Sequence, residues 1–341
     1  MEIVQILIIL CAIILFGRAI NLILVVRWFG RPKPPGNVIT VDGKRVYFTV
    51  KGQGSPTIIV ESGLASASPE WRGLQEELSK STRVLTYDRG GYGWSDTRQG
   101  ARTSRRVAEE LRMVLDELSI DPPYLLVGHS LGALFVNHFC RLYPQSVAGV
   151  ILLDPVTPDH SRFRQELLPR VYRRSGVDKS RILKLHGFLA GFGFLRLLKP
   201  IVLRSPLFAP YRNLTSEALS ALWNNVISPR TYETASNEYS QLLDPRSIVD
   251  LRAAGDFPPV PLRVVTHDSE LMKQSIARHG KLSLEDAGKV EDLWQELMRG
   301  LVKMSPNGEV ITTEAGDHLF HLTHPDVVIG IILDLLRKTR K

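Results

Sequence analysis

The sequence predicts an α/β fold, in which a doubly wound, mostly parallel sheet of eight strands carries a helical cap inserted after the sixth strand. Short apolar runs alternate with helical patterns along most of the chain, as expected for buried parallel strands joined by helices. Asp42-Gly43, a dipeptide that favours tight hairpin turns, indicates an antiparallel pair at the start of the sheet. The alternation stops between about Pro155 and Pro259 and then resumes, which indicates an insertion.

The composition is that of a globular protein with a sizeable core. Of the 341 residues, 44% are apolar and 23% are charged, which excludes a disordered chain. The formal charge of +8 is spread without a long basic run, so we expect no nucleic-acid partner. Cys11 and Cys140, the two cysteines, provide neither a disulfide framework nor a metal site. We therefore expect no cofactor, no metal and no obligate protein partner.

The N-terminal segment is predicted to be a transmembrane helix. From Ile3 to Val26 the sequence is almost wholly apolar, interrupted chiefly by Gln5, Arg18 and Asn21. At ~1.5 Å per helical residue, this length spans the hydrocarbon core of a bilayer. A cleaved signal peptide is the alternative, but no basic residue precedes the apolar run. Arg18 leaves a shallow or re-entrant segment open as well.

The charges around this anchor, which we bound at 1–30, predict its orientation. Three basic residues follow the apolar run, Arg27, Arg31 and Lys33, and no basic residue precedes it. The positive-inside rule then predicts a single-pass membrane protein whose following domain lies on the cytoplasmic side. A short Pro- and Gly-containing linker at 31–36 leads into that domain, which covers 37–341.

The elements of the domain follow in order after the hairpin. Predicted strands are the short apolar runs bounded by turn residues. They lie at 37–41, 45–50, 57–61, 84–87, 124–127, 147–153, 262–266 and 309–313. Helical patterns occur near 70–80, 104–119 and 131–142, and a final helix follows Pro325. The cap insertion covers about 156–258.

One part of the cap, Ile182–Leu203, is crowded with Gly, Phe and Leu, with basic residues between them. Two interpretations of this segment are open. It forms the apolar core of the cap, or it is a lid that touches a membrane.

A candidate nucleophile lies directly after the fifth strand. Gly128-His129-Ser130-Leu131-Gly132 follows an apolar strand and opens a helix. A sharp strand-to-helix turn of this kind exposes the serine, and the flanking glycines let neighbouring backbone approach closely. The Gly-x-Ser-x-Gly pattern alone is common, so its position between strand and helix carries the prediction that Ser130 is the nucleophile.

A serine hydroxyl needs a general base, and nine histidines are candidates. His318 follows the last strand in Ala315-Gly316-Asp317-His318 and precedes the final helix, which favours it as the base. His321 and His324 share the segment and stay alternatives. His129, adjacent to the nucleophile, is interpreted as a packing residue.

The third member of a triad is an acid at the carboxyl end of a strand, where it orients the histidine. Asp154 ends the sixth strand, and Asp268 follows the seventh with Glu270 close behind. Both positions give the chain order serine, acid, histidine. We favour Asp154 and keep Asp268 as the alternative.

Acyl transfer also needs two N–H donors that stabilise the developing oxyanion. The backbone of Leu131, which follows the nucleophile, is one predicted donor. The second is predicted at Leu64 in Glu61-Ser62-Gly63-Leu64, the loop after the third strand. The Gly-rich turn Asp88–Ser95 after the fourth strand is interpreted as a structural loop.

With these residues in place, about 35–337 of the chain resembles the α/β-hydrolase superfamily. The resemblance is to membrane-anchored, esterase-like members, through Pro34-Pro35-Gly36, Glu61–Leu64, Tyr87–Asp96, Gly128–Gly132 and Gly316–Pro325. Two positions differ: Ser62-Gly63 stands where many relatives carry His-Gly, and Ala133 where they carry a second glycine. The frequent Gly-x-x-Asp after the seventh strand is also absent, which is why Asp154 is favoured.

The resemblance implies a serine hydrolase that cleaves an ester or thioester through an acyl enzyme. The apolar cap and the predicted anchor favour a hydrophobic small molecule or lipid-like substrate. Superfamily members with an aspartate nucleophile open epoxides or displace halides, and Ser130 argues against those reactions. An acyltransferase or amidase on the same triad, or a non-catalytic ligand-binding member, are the alternatives.

The glycosylation sequon Asn213-Leu214-Thr215 matters only in a lumenal or extracellular domain.

Overall fold

The computed structural model describes residues 2–27, 34–314 and 316–340. Its first element is helix α1 (Glu2–Arg27). Within those described ranges, no helix is sufficiently long and apolar to cross a membrane. The transmembrane helix predicted at 1–30 is thus not found among the described residues. The side chains at 20–27 and the whole of 28–33, which includes half of the predicted 31–36 linker, lie outside the described residues.

Eight strands form one sheet, as the sequence predicts. They are β1 (Asn37–Val41), β2 (Lys44–Lys51), β3 (Thr57–Glu61), β4 (Val84–Tyr87), β5 (Tyr124–His129), β6 (Val147–Leu153), β7 (Leu262–Thr266) and β8 (Gly308–Thr312). Their spatial order is β1-β2-β4-β3-β5-β6-β7-β8. The β1–β2 and β2–β4 pairs are antiparallel and the remaining pairs are parallel, which confirms the mostly parallel sheet.

Helices connect the parallel strands. After α1 they are α2 (Arg72–Leu78), α3 (Ser104–Glu117), α4 (Gly132–Leu142), α5 (Arg162–Glu166), α6 (Pro169–Arg174), α7 (Ser180–Gly191), α8 (Phe194–Leu197), α9 (Lys199–Arg204), α10 (Ser216–Val226), α11 (Pro229–Leu242), α12 (Pro245–Ala253), α13 (Ser269–Gly280), α14 (Leu284–Val302), α15 (Phe320–Thr323) and α16 (Pro325–Thr339). Short 3-10 helices occur at Ser68–Trp71, Pro144–Ser146 and Pro206–Asn213. The run α5 to α12 lies between β6 and β7, so the cap leaves and re-enters the sheet at neighbouring strands.

Two helices between β7 and β8 were not among the predicted elements. Asp268 caps α13 through a hydrogen bond from the Leu271 N–H, and Ser283 caps α14 through one from the Asp286 N–H. Each cap satisfies one of the free N–H groups at a helix start. Asp268 and Ser283 are both residues that favour helix N-caps, so the sequence contains a local signal for each helix.

Buried apolar side chains form a layer on each face of the sheet and a third cluster under the cap. Helices α3, α4 and α14 cover one face, where Ile59 and Val136 lie in one cluster. Helices α2 and α16 cover the other, where Ile58 and Ile332 lie in a second. The third cluster joins the cap to Leu131 at the start of α4. This third cluster holds the cap over the end of β5, where the predicted nucleophile lies.

Candidate active site

Ser130 lies in a sharp turn between β5 and α4, with a φ of +52°. Its N–H donates to the carbonyl of Leu153 (2.9 Å), and its own carbonyl accepts from the Val156 N–H (2.9 Å). A Cβ on Gly132 would overlap the carbonyl oxygen of Glu61, so only glycine allows this close approach. The strand, the turn and the helix start together hold Ser130 in a backbone conformation that non-glycine residues rarely adopt.

His318 lies beside Asp154, which ends β6. Its Nδ1 is 2.5 Å from Asp154 Oδ2, and the carboxyl group is buried. Burial alone raises the pKa of Asp154. His267 and His318 outweigh this effect through their charges and their hydrogen bonds to the carboxylate, and they hold the pKa of Asp154 below its usual range. Asp154 is therefore an ionised acceptor that fixes the orientation of the His318 ring, leaving the other ring nitrogen for proton transfer.

The other predicted acids have different positions. Asp268 is the N-cap of α13, where Oδ1 accepts from the Leu271 N–H (2.9 Å). Glu270, two residues further on, is paired with Lys273 on the surface. Among the contacts of the described residues, Asp154 is the acid that is hydrogen-bonded to His318.

A second histidine lies on the far side of Asp154 and was missed by sequence reasoning. His267 Nδ1 is 2.7 Å from Asp154 Oδ1, and its Nε2 is 3.0 Å from Glu291 Oε2. Burial lowers the pKa of His267, but the two carboxylates more than reverse this and raise it to about 10. The ring is a buried imidazolium that donates to both carboxylates. Ser269 and Gln295 donate further hydrogen bonds to Glu291 (both 2.8 Å).

The loop after β3 lies against Ser130. A Cβ on Gly63 would be 3.3 Å from the Cβ of Ser130, so the backbone passes close to the serine. Leu64, the next residue, packs against the cap cluster that contains Leu131. The two predicted oxyanion donors, the backbone N–H groups of Leu64 and Leu131, thus belong to segments that flank Ser130. Their role stays a prediction.

The Arg89 side chain binds this loop. Its guanidinium is buried and donates to the carbonyls of Ser62 (2.5 Å) and Gly63 (2.8 Å). It also pairs with Glu61 (2.6 Å) and with Glu238 on cap helix α11 (3.1 Å). The Asp88–Ser95 turn, interpreted from sequence as a structural loop, therefore connects the loop after β3 to the cap. Glu238 carried no sequence signal, because it lies 149 residues away from Arg89.

Three further histidines lie near the site. His129 Nε2 donates to the carbonyl of His318 (3.0 Å), and burial holds its pKa well below the usual value. His321 is stacked on Trp71 with ring centroids 4.5 Å apart, and burial lowers its pKa to about 3. His324 contacts Thr323 and precedes α16. Neither His321 nor His324, the alternative bases, is bonded to Asp154 in the contacts of the described residues.

Glu70 adds a buried carboxyl to this neighbourhood. Ser66 Oγ donates to it (2.6 Å), and the nearest His321 nitrogen is 3.8 Å away. Burial raises the pKa of Glu70 to about 7, although Ser66 and the charge of His318 act in the opposite direction. No group of three or more candidate ligands that could hold a metal ion occurs in the described part of the chain.

Comparison with known proteins identifies the architecture. A family model described as alpha/beta hydrolase fold matches residues 56–180. An uncharacterized Bacillus subtilis protein, YbdG, is 27% identical over 315 residues, which cover 90% of this chain and 87% of that protein. Among solved structures, a thermophilic esterase from Thermogutta terrifontis has a TM-score of 0.59 at 20% identity, covering 90% of this chain and all of that chain. A putative epoxide hydrolase from Pseudomonas aeruginosa has a TM-score of 0.65 at 18% identity, covering 90% and 97%.

Proposed function

Because the chain has the α/β-hydrolase fold, we propose that it is a serine hydrolase acting on an ester or thioester of a hydrophobic small molecule or lipid-like substrate. The hydrogen bond between His318 and the buried Asp154, on the same sheet edge as the elbow that carries Ser130, is the observation that supports this most. Solved relatives include both an esterase and epoxide hydrolases. A serine rather than an aspartate at the elbow favours acyl transfer over epoxide opening.

The proposed reaction has two steps. Ser130 Oγ attacks the substrate carbonyl carbon while His318 takes the hydroxyl proton, and the backbone N–H groups of Leu131 and Leu64 stabilise the oxyanion. His318 then gives its proton to the departing alkoxide or thiolate, leaving an acyl enzyme. Water adds to the acyl carbonyl with His318 as base, and the acid product leaves as Ser130 recovers its proton. Asp154 holds the ring and stabilises the imidazolium at each step.

A hydrophobic substrate is supported by the side chains around the nucleophile. Leu131, the N-cap of α4, and Leu134 within α4 lie in one apolar cluster with three residues of the cap, Leu183, Leu195 and Phe208. An acyl chain entering beneath the cap would meet this cluster, because the cap and the nucleophile turn share it. A large charged acyl group would lose its hydration there without gaining a partner.

The first test is covalent labelling of the purified protein with a fluorophosphonate, beside Ser130→Ala and His318→Ala. Ser240→Ala, an exposed serine of α11, is the matched control. We expect strong labelling of the parent and the control and none of the other two variants, because only an activated serine attacks the probe. No labelling of a folded parent, with saturable binding of hydrophobic esters, would instead support a ligand-binding protein. Product analysis with added alcohols or amines separates hydrolysis from acyl transfer.

Membrane attachment through α1, with the catalytic domain on the cytoplasmic side, remains a separate proposal. It is supported by the apolar run of the sequence and by the exposure of Ile6, Ile9, Leu15 and Phe16, which lie on α1. Alkaline carbonate extraction of membranes from cells that express the full chain tests it. Retention in the membrane pellet is expected, and full release into the supernatant would contradict it.

A further inference from the structure

The outer surface of the cap carries an unusual number of exposed apolar side chains. We call this surface the cap face. Its members lie on α7, α8 and α9 and are Ile182, Leu185, Phe188, Phe194, Leu197 and Ile201. Leu197 is 76% exposed and Ile201 is 67% exposed. Because large apolar groups gathered on one surface are unfavourable in water, such a face indicates an interaction surface.

The charge of the same segment has a single sign. Between 180 and 213 the sequence contains six basic residues and no acidic residue. They are Arg181, Lys184, Arg196, Lys199, Arg204 and Arg212. Elsewhere the surface mixes both signs in many ion pairs, for example Arg162 with Glu166 and Lys289 with Glu285. The segment that carries the cap face is thus basic as well as apolar, which is complementary to an anionic surface with an apolar interior.

The inner side of these helices faces the candidate active site. Leu183 of α7 and Leu195 of α8 lie in the cluster that also contains Leu131, next to the nucleophile. The N-terminal helix also reaches this part of the cap, because the guanidinium of Arg18 lies 5.5 Å from the ring centroid of Phe192. The cap face is therefore the outer side of the layer that covers Ser130, and α1 lies next to it.

We propose that the cap face docks on the surface of a lipid bilayer that contains anionic lipids, and that the cap helices lie in the interface without crossing it. Interfacial helices bind by burying apolar side chains among the headgroups while basic side chains attract anionic lipid. A second copy of this chain fits less well, because two cap faces would bring two sets of six basic residues together. If the proposed function holds, docking brings the layer above Ser130 to the source of a lipid-like substrate.

A position-specific probe separates docking of the cap face from attachment by α1. The full chain is prepared with Cys11→Ala, and an environment-sensitive fluorophore is attached at Leu197→Cys or, as the matched control, at Val249→Cys. Val249 is 65% exposed on α12, outside the cap face, and Cys140 is buried away from the reagent. Vesicles are made of phosphatidylcholine alone or with phosphatidylserine.

Docking predicts a blue shift and a rise in emission for the probe at 197 with anionic vesicles, and little change for the probe at 249. A second pair of changes, Arg181→Gln with Lys184→Gln, is expected to weaken the response about fivefold for each charge removed. Hydrolysis of a water-soluble ester is expected to be unchanged in that variant, because neither residue contacts the candidate site.

Three outcomes would overturn the proposal. The fluorescence change could be equal at 197 and 249, or it could be absent at 197 although the protein sediments with vesicles. It could also depend at 197 on the protein concentration and not on the lipid. The last would indicate self-association. The measurement does not depend on catalysis, so Ser130→Ala should dock as the parent does. A protein that docks but fails to react with fluorophosphonate would refute the proposed function alone.

Discussion

Two carboxylates at neighbouring strand ends have different partners, and this difference decides their expected roles. Asp154 is buried and shared between two histidines, whereas Asp268 caps a helix at the protein surface. A group that holds a catalytic imidazole is needed in the transition state, whereas a helix cap contributes to stability alone.

Asp154→Asn is therefore expected to lower kcat for a soluble ester by about 10³-fold or more, because an amide neither fixes the ring tautomer nor stabilises the imidazolium. Asp268→Ala is expected to leave kcat near the parental value and to cost about 1 kcal/mol of unfolding free energy, as the loss of an N-cap does. Steady-state kinetics and urea unfolding on both variants check this. The reverse pattern would make Asp268 the catalytic acid.

His267 predicts a pH dependence of stability. Its pKa of about 10 in the folded chain lies above the ordinary value of 6.5, so the folded state binds the proton more tightly. The stability that comes from this proton is fully present below about pH 6.5 and is lost as the pH rises towards 10. The unfolding free energy of the parent, relative to His267→Gln, should therefore fall across this window. Urea unfolding at several pH values measures it, and a constant difference would show that His267 is neutral.

At the scale of elements, one buried arginine joins three parts of the chain. Arg89, after β4, binds the loop after β3 and helix α11 of the cap. A buried cation requires its carboxylate partners, because the loss of one leaves charge without compensation in an apolar environment. The position of the predicted oxyanion loop is therefore coupled to the position of the cap.

Glu238→Gln tests this coupling. We expect a loss of about 3 kcal/mol in the free energy of unfolding, since one of the two carboxylates of a buried network is removed. We also expect a lower kcat, because the carbonyls of Ser62 and Gly63 lose part of their fixed support. Glu233→Gln, an exposed acid of the same helix, is the control and should change neither quantity. An unchanged kcat in Glu238→Gln would show that the loop is held without the cap.

At the scale of the whole molecule, the sheet is stabilised from both faces, and the C-terminal helix is part of that core. Ile332 of α16 is 1% exposed and lies in the cluster that covers β3, β5 and β6. Val327, five residues earlier, is 46% exposed.

Ile332→Ala is expected to destabilise the fold by about 2–5 kcal/mol, because the removed side chain leaves a cavity between helix and sheet. Val327→Ala on the solvent side should remain within about 0.5 kcal/mol of the parent. Urea unfolding measures both. Equal effects would mean that α16 is not held against the sheet as the structure has it.

The sequence by itself determined the eight strands, the position of the sharp turn at Ser130 and the interruption by the cap. These features depend on local signals, such as apolar runs, the Asp42-Gly43 turn and the glycines around Ser130, which act over a few residues. Strand β5, predicted to end at Val127, extends two residues further, because Gly128 and His129 pair with β6. A local pattern contains no information about such a neighbour.

Only the tertiary structure decided which acid lies beside His318, and it alone revealed His267, Glu291 and Glu238. Asp154 and Asp268 have equivalent positions in the sequence pattern, since each follows a parallel strand. Their side chains differ in direction, which depends on the packing of strands that are far apart along the chain. The His318–Asp154 contact spans 164 residues and the Arg89–Glu238 contact spans 149. Contacts of that separation arise when the sheet and cap assemble, so no short stretch of sequence specifies them.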